Sequence, residues 1–259
     1  MEQTKETFDL KGIKFIVGIM CHGMMPPLTA LSFIDSFLML TKSGVDINYT
    51  AQLDCSIVDY GRNEIVESFL NKTDGHKLVF IDCDMRWTPQ DLVTLMCWST
   101  RYPLVAAMYP TKIDGDSKYI AFYDKNKGLV CENEDGLVPI DAAGIGFSII
   151  DRSVFDTMKP TTEVYKTKGG GARHRYFKTT LINGNYTGED VYFLDRWAKE
   201  FGGQVWVDPN VNPGHIGSKV YQGNLRQAMI SYNNIIAAKS STSTQGRETP
   251  HVEDDTKEK

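Results

Sequence analysis

The sequence predicts an α/β fold: a mostly parallel central sheet flanked by helices, followed by a mixed second half. Three observations carry this reading. Short apolar runs alternate with helix-period segments through the first 110 residues. The helical segments carry recognisable start and stop residues. Beyond residue 118 the runs become shorter and the turns richer in Gly and Asn.

Taken in order, residues 13–20 (IKFIVGIM) form an apolar run bounded by Gly12 and a His-Gly-Met-Met-Pro-Pro stretch, the pattern of a buried strand. Leu31, Ile34, Phe37 and Leu38 recur at helical spacing over 29–43, and Gly44 ends that helix. A strand is expected over 47–55, and then a helix carrying Ile65, Val66, Phe69 and Leu70. KLVFI (77–81) is the next buried strand and runs into Asp82-Cys83-Asp84. Thr88-Pro89-Gln90-Asp91 starts a helix with a capping hydroxyl, a proline in the first turn and an acid three residues on. PLVAAMY (103–109) is another strand. This alternation is that of βαβ units and a Rossmann-like half.

In the second half, residues 118–150 read as short strands ending in GIGFSIID. A Gly-rich basic loop (166–178) follows, then a helix from about Thr187 to Phe201 with Val191, Leu194, Trp197 and Ala198 on one face. QVWVD (204–208) is a last strand and 219–238 a last helix. Residues 1–239 are expected to form one domain, and the polar segment 240–259 a disordered tail.

The chain has 259 residues, a net charge of −5 and 41% hydrophobic residues, enough for a substantial core and incompatible with wholesale disorder. No apolar run approaches the roughly 18 residues that span a bilayer, and the polar start lacks a signal-peptide pattern. Five cysteines without CxxC spacing argue against a disulfide framework or a zinc knuckle. The expectation is a cytoplasmic protein with no membrane association.

The first chemical candidate is Asp82-Cys83-Asp84. Positions i and i+2 leaving a strand point to one side, so both carboxylates are expected to face one ligand at the carboxyl edge of the sheet. Two hard oxygen donors there suit a divalent cation on phosphate oxygens; the alternative is a pair of solvated loop acids. Asp59-Tyr60-Gly61-Arg62-Asn63 opens a helix upstream. Ala143-Gly144-Ile145-Gly146-Phe147, Gly188-Glu189-Asp190 and Gly214-His215-Ile216-Gly217 follow in order. Across roughly residues 13–225 this ordered set resembles GT-A-fold glycosyltransferases, and its spacing looks like the small family-2-like enzymes carried by bacteriophages.

The resemblance implies a nucleotide-binding half over about 13–110 and an acceptor half over about 111–239. It implies a nucleotide-diphosphate sugar donor, UDP-sugar favoured, with Mn²⁺ or Mg²⁺. Asp84 would bind the metal, Asp82 the ribose or the metal, and His215 would be the third protein ligand. Asp190 would be the general base of an inverting transfer, as in the Glu-Asp motif of inverting GT-A enzymes. Its place in a first helical turn is expected to keep it ionised; the same place makes Glu189 and Asp190 candidates for a simple helix cap, with Glu189 otherwise on the acceptor side. Arg62 is expected to pair with the diphosphate or hold the Asp82 loop, or to form an ordinary ion pair. Gly144 and Gly146 would let the donor sugar approach closely; Tyr109 and Lys112 would reach the sugar or a phosphate.

Val164 to Gly188 holds no acid, while Lys166, Lys168, Arg173, Arg175 and Lys178 lie among Tyr165, Tyr176 and Phe177. Three readings stand: a lid over the diphosphate, a dock for a polyanionic acceptor, or a solvated loop. A bacteriophage-like resemblance makes a hydroxymethylated pyrimidine in viral DNA a fitting acceptor in a host cytoplasm, contacted by Lys166, Lys168, Arg173, Arg175 and Tyr176. A glycan or surface polysaccharide is the rival. A sugar-phosphate nucleotidyltransferase is disfavoured, because CHGMMPP (21–27) replaces a Gly-rich phosphate loop. A non-catalytic sugar-nucleotide-binding module is the remaining class.

Overall fold

The structure is a computed structural model and describes residues 8–115, 118–119, 121–122, 129–182 and 184–244. The first half contains β1 (Lys14–Cys21), α1 (Pro27–Lys42), β2 (Asp46–Leu53), α2 (Val58–Lys72), β3 (Lys77–Asp82), β4 (Met85–Arg86), α3 (Pro89–Trp98) and β5 (Leu104–Ala106). Then come β6 (Ala121–Phe122), β7 (Val138–Ile140), β8 (Ala142–Ala143), β9 (Phe147–Asp151), α4 (Arg152–Met158) and a 3₁₀ turn (Lys159–Thr161). Two hairpins follow, β10 (Val164–Lys166) with β11 (Ala172–His174), and β12 (Thr180–Ile182) with β13 (Asn185–Thr187). The chain continues through α5 (Glu189–Phe201), β14 (Val205–Val207), β15 (Gly214–Ile216), β16 (Val220–Tyr221) and α6 (Leu225–Thr244).

A seven-stranded sheet of order β2-β1-β3-β9-β5-β14-β7 forms the centre. β1, β2, β3, β5 and β14 run one way; β9 and β7 run against them. The sheet is therefore mostly parallel, flanked by helices, and consistent with a GT-A, Rossmann-like fold. β9, from the second half, inserts between β3 and β5 and so makes both halves share one sheet. Alternation along β3 sorts the core: Leu78 and Phe80 pack with Phe69, Phe155, Phe177 and Phe193. Val79 and Ile81 pack with Phe15, Trp87, Leu95 and Phe147 on the other face.

Local signals explain the elements that hold the site. The expected capping box at α3 is present, Thr88 Oγ1 accepting from Asp91 N and Asp91 Oδ2 from Thr88 N at 2.8 Å. Arg152 donates to the carbonyls of Phe69, Leu70, Thr73 and Gly75 at 2.7–3.1 Å, closing the C-terminus of α2. That fixes the helix whose opposite end carries Arg62.

Four expectations are corrected. On α1 the apolar residues that marked the helix do not supply its buried face: Leu31, Ile34 and Leu38 are exposed, and Thr29, Ser32, Phe33, Ser36 and Leu40 face inward. The inward hydroxyls satisfy Trp87, Ser36 Oγ accepting from its indole N–H at 2.9 Å and Ser32 Oγ donating to its carbonyl at 2.8 Å. The basic loop is an ordered hairpin, because Gly170 at φ +83° turns β10 back onto β11. The last helix starts at Leu225, since residues 220–221 pair with β15. It runs through Thr244, so the predicted tail is helical over 240–244; its remainder, 245–259, lies outside the described residues. Among the described residues no helix is long and apolar enough to cross a membrane.

Candidate active site

The parallel strands end at one edge, and the N-terminal turns of α2 and α5 come to the same edge. Arg62, on the second turn of α2 and almost wholly buried, joins them. Its Nη2 donates to Asp82 Oδ2 and its Nε to Glu189 Oε1, both at 3.1 Å, while its Nη1 is buried without a partner. Burial opposes the guanidinium charge, but Asp82 and then Glu189 outweigh it and raise the pKa above its ordinary value. The guanidinium also lies over the Phe80 ring, 5.4 Å from its centroid. Glu189, expected on the acceptor side, thus orients Arg62.

Gly144, Gly146 and Tyr109 complete this cluster. Gly146 N donates to the Tyr109 hydroxyl at 3.1 Å, and Asp82 N donates to Gly146 O at 2.8 Å. A Cβ on Gly146 would stand 2.4 Å from Asp82 Oδ2 and 2.6 Å from Tyr109 Oη; one on Gly144 would stand 2.6 Å from the same hydroxyl. The glycines are required by these close approaches. Gly146→Ala should push Asp82 and Tyr109 apart at a cost of about 1–3 kcal/mol; a melting curve at neutral pH checks it, and an unchanged melting temperature would show that the loop yields freely.

Asp190 lies beside this cluster on the first turn of α5. Burial is the largest influence on it, followed by the charge of Glu189; together they lift its pKa to about 6 against the pull of Arg62. The helix N-terminus is expected to help keep this carboxylate ionised; burial raises its pKa nonetheless, to a value that leaves it ionised at neutral pH. The result is a proton acceptor poised close to neutral pH.

Asp84 forms a second group. β3 ends at Asp82, and the turn at Cys83–Asp84 breaks the pleat. The two carboxylates therefore part, Asp82 to Arg62 and Asp84 to Lys112 and His215. The single ligand-facing pair expected from i and i+2 geometry is not formed. Among the described residues no three His, Cys, Asp or Glu side chains stand close enough to enclose a metal.

Asp84 Oδ2 lies 2.5 Å from Lys112 Nζ and 3.5 Å from His215 Nε2. Burial alone would raise the Asp84 pKa, but hydrogen bonds from His215 and Lys112 hold it at about 2. His215 reaches Asp84 because β15 pairs with β4, placing His215 opposite Met85. Its Nδ1 is 3.0 Å from Pro110 O, an oxygen that only accepts, so Nδ1 carries a proton; Nε2 faces Asp84, where a proton on it donates to the carboxylate and a bound cation would take that proton's place. A carboxylate and an imidazole 3.5 Å apart are a donor set that would suit a divalent cation. Asp84 and His215 therefore fit Mn²⁺ or Mg²⁺ as a two-residue site. The Tyr109 and His215 rings meet edge-on at 5.0 Å, linking the two groups.

The basic hairpin is not a free cationic surface. Arg173 pairs with Glu64 and Glu67, Arg175 with Asp59 and Glu163, and Lys178 with Glu163. Lys166 and Lys168 are the cations left free of these pairs. Tyr176, expected to contact the acceptor, is in the core, its ring against Phe155 and its hydroxyl 3.3 Å from Phe155 O. Sequence reasoning assigned no role to Pro110 O, a backbone atom that no motif reports. It also gave none to Asp59 or Tyr60, although both stand in the quoted motif.

No family model matches the chain, and no curated protein matches its sequence. Among solved structures, the chain is similar to A197 from STIV at 18% identity and a TM-score of 0.51, covering 82% of this chain and 95% of that one. It is also similar to GalNAc-T7, solved with UDP, GalNAc and Mn²⁺, at 11% identity and a TM-score of 0.43 over 81% of this chain and 45% of that one. A glycosyltransferase involved in glycosylating the major capsid of PBCV-1 gives 8% identity and a TM-score of 0.33, over 57% and 64%. The likeness to A197 is one of fold, and it extends over nearly the whole of that protein.

Proposed function

We propose that this chain is a metal-dependent glycosyltransferase that moves a sugar from a nucleotide-diphosphate donor to an acceptor hydroxyl with inversion. The observation that supports it is the meeting, at one sheet edge, of a carboxylate with a pKa of about 6 and an Asp84–His215 pair able to hold a cation. In the proposed reaction Asp190 takes the acceptor hydroxyl proton while that oxygen bonds to the anomeric carbon. The bond from that carbon to the diphosphate oxygen breaks, and its electron pair leaves with the nucleoside diphosphate. Arg62 holds Asp82 and Glu189 in place. Lys112 is positioned to move from Asp84 to a phosphate. When bound, Mn²⁺ or Mg²⁺ supplies Lewis-acid neutralisation of the leaving group.

The ion pairs of the hairpin bear on the acceptor. A hydroxymethylated pyrimidine in duplex DNA calls for several unpaired cations, and this face offers Lys166 and Lys168. A glycan hydroxyl is the acceptor that such a surface favours.

The test is a melting-temperature panel of UDP, GDP, CDP and ADP, each with and without Mn²⁺. At a hundredfold excess over Kd, linkage predicts about 2.7 kcal/mol of stabilisation. One nucleotide, UDP first, should raise the melting temperature only with metal, and Asp84→Asn should abolish the rise. No shift with any diphosphate would overturn the donor site.

A further inference from the structure

Beside the candidate active site, α2 and the β10–β11 hairpin enclose two adjoining cavities of about 310 and 520 Å³ that share Tyr60 and Tyr165. Their ring centroids are 6.5 Å apart at 55°. Asp59 and Arg175 line the inner cavity; Lys166 and Lys168 line the outer. We propose that this groove binds a saccharide chain and holds the acceptor glycan behind its reacting hydroxyl. That role in acceptance rests on the transferase reading; the binding itself does not.

Three features select this ligand class. First, the walls are aromatic, offering flat apolar faces against which the C–H face of a sugar ring buries area. Second, the polar groups are compensated in charge but short of hydrogen bonds. Arg175 stands 3.6 Å from Asp59 and 3.8 Å from Glu163, close enough to cancel charge and too far for a hydrogen bond. Besides Arg175, Asp59 Oδ2 takes a long 3.4 Å contact from Thr179 N among the described residues, while Oδ1 accepts from Tyr60 N at 2.8 Å. Sugar hydroxyls both donate and accept, so one ring can serve a carboxylate and a guanidinium together. A polyanion would find the Asp59–Arg175 and Glu64–Arg173 charges already cancelled.

Third, the groove is preformed. Asn63 accepts from Phe177 N at 3.0 Å and donates to Phe177 O at 2.8 Å, and Arg173 donates to Glu64 at 3.0 Å, clamping the hairpin to α2. Asp59 and Asn63 of α2, which bind the hairpin segment at Thr179 and Phe177, flank Arg62 in the chain, and Arg62 pairs with Glu189, the neighbour of Asp190. One helix thus joins the groove to the proposed base.

The test uses the full chain without nucleotide or metal, on an array of defined oligosaccharides with duplex DNA carrying hydroxymethylcytosine as a parallel probe. Saturation-transfer NMR then follows the best binder. Binding of at least one oligosaccharide is expected, weakened about tenfold by Tyr60→Ala through loss of one aromatic face. Tyr165→Phe, which keeps the ring and removes a hydroxyl closed to solvent, should leave binding unchanged and melt no lower than the parent. No oligosaccharide binding, or binding indifferent to Tyr60→Ala, would overturn the proposal. So would binding confined to the DNA probe and removed by salt. Because the donor panel and this array share no reagent, failure of either reading leaves the other standing or falling on its own data.

Discussion

Arg62→Met should be the most destabilising single substitution at the site, costing about 3–5 kcal/mol. The guanidinium is held between Asp82 and Glu189, and its side chain is 4% exposed while theirs are 25% and 15% exposed. Methionine fills much of the volume but leaves two carboxylates facing each other beside Asp190 without a cation. The deficit should shrink on acidification, because protons can replace the missing charge. Chemical denaturation at pH 7.5 and 5 measures both. Arg62→Lys should recover part of the stability but not the two-sided geometry, since an ammonium lacks the fork that reaches both carboxylates. Melting of Arg62→Met indistinguishable from the parent at pH 7.5 would mean that the triad contributes nothing to the fold.

Asp190→Asn should separate stability from function in the opposite sense. The folded-state pKa is about 6 against an ordinary 3.8, so the folded chain binds the Asp190 proton more tightly than the unfolded chain. Stability contributed by that proton is fully present below about pH 4. It is lost as pH rises through 6, leaving a cost on the order of 3 kcal/mol at neutral pH. An asparagine carries no such cost. The variant should therefore melt higher than the parent above pH 6, with the difference fading toward pH 4.

Transfer should fall in the same variant by a factor of about 10²–10⁴, the usual contribution of a general base. In the parent, turnover should decline below pH 6 as Asp190 protonates. A variant that melts lower at pH 8 and still turns over would return Asp190 to the role of a helix-terminal residue.

The elements of the first half were legible because each carries its own signal. β1 and β3 are unbroken apolar runs, and the start of α3 is written in Thr88, Pro89 and Asp91. α1 forms where the spacing placed it, but Leu31, Ile34 and Leu38 face solvent and its hydroxyls face Trp87. A hydrophobic period records the face that buries carbon, and here the partner demanded hydrogen bonds. The hairpin's ion pairs were hidden for a related reason. Arg173 and Arg175 look unpaired along the chain, since Glu64, Glu67 and Asp59, which pair with them, lie more than a hundred positions away on α2.

By itself the sequence determined the alternation that makes a parallel sheet and the placing of Asp82 and Asp84 at the carboxyl end of its third strand, which spacing reports because both are local; its resemblance to GT-A-fold glycosyltransferases, not its composition, singled out Arg62, Glu189, Asp190 and His215. Only the tertiary structure decided how those residues divide. It turned Asp82 to Arg62 and Asp84 to His215, lifted Asp190 to about 6 by burial, and set Tyr60 against Tyr165. Each of these depends on desolvation or on charges brought together from distant segments, and both act through space rather than along the chain.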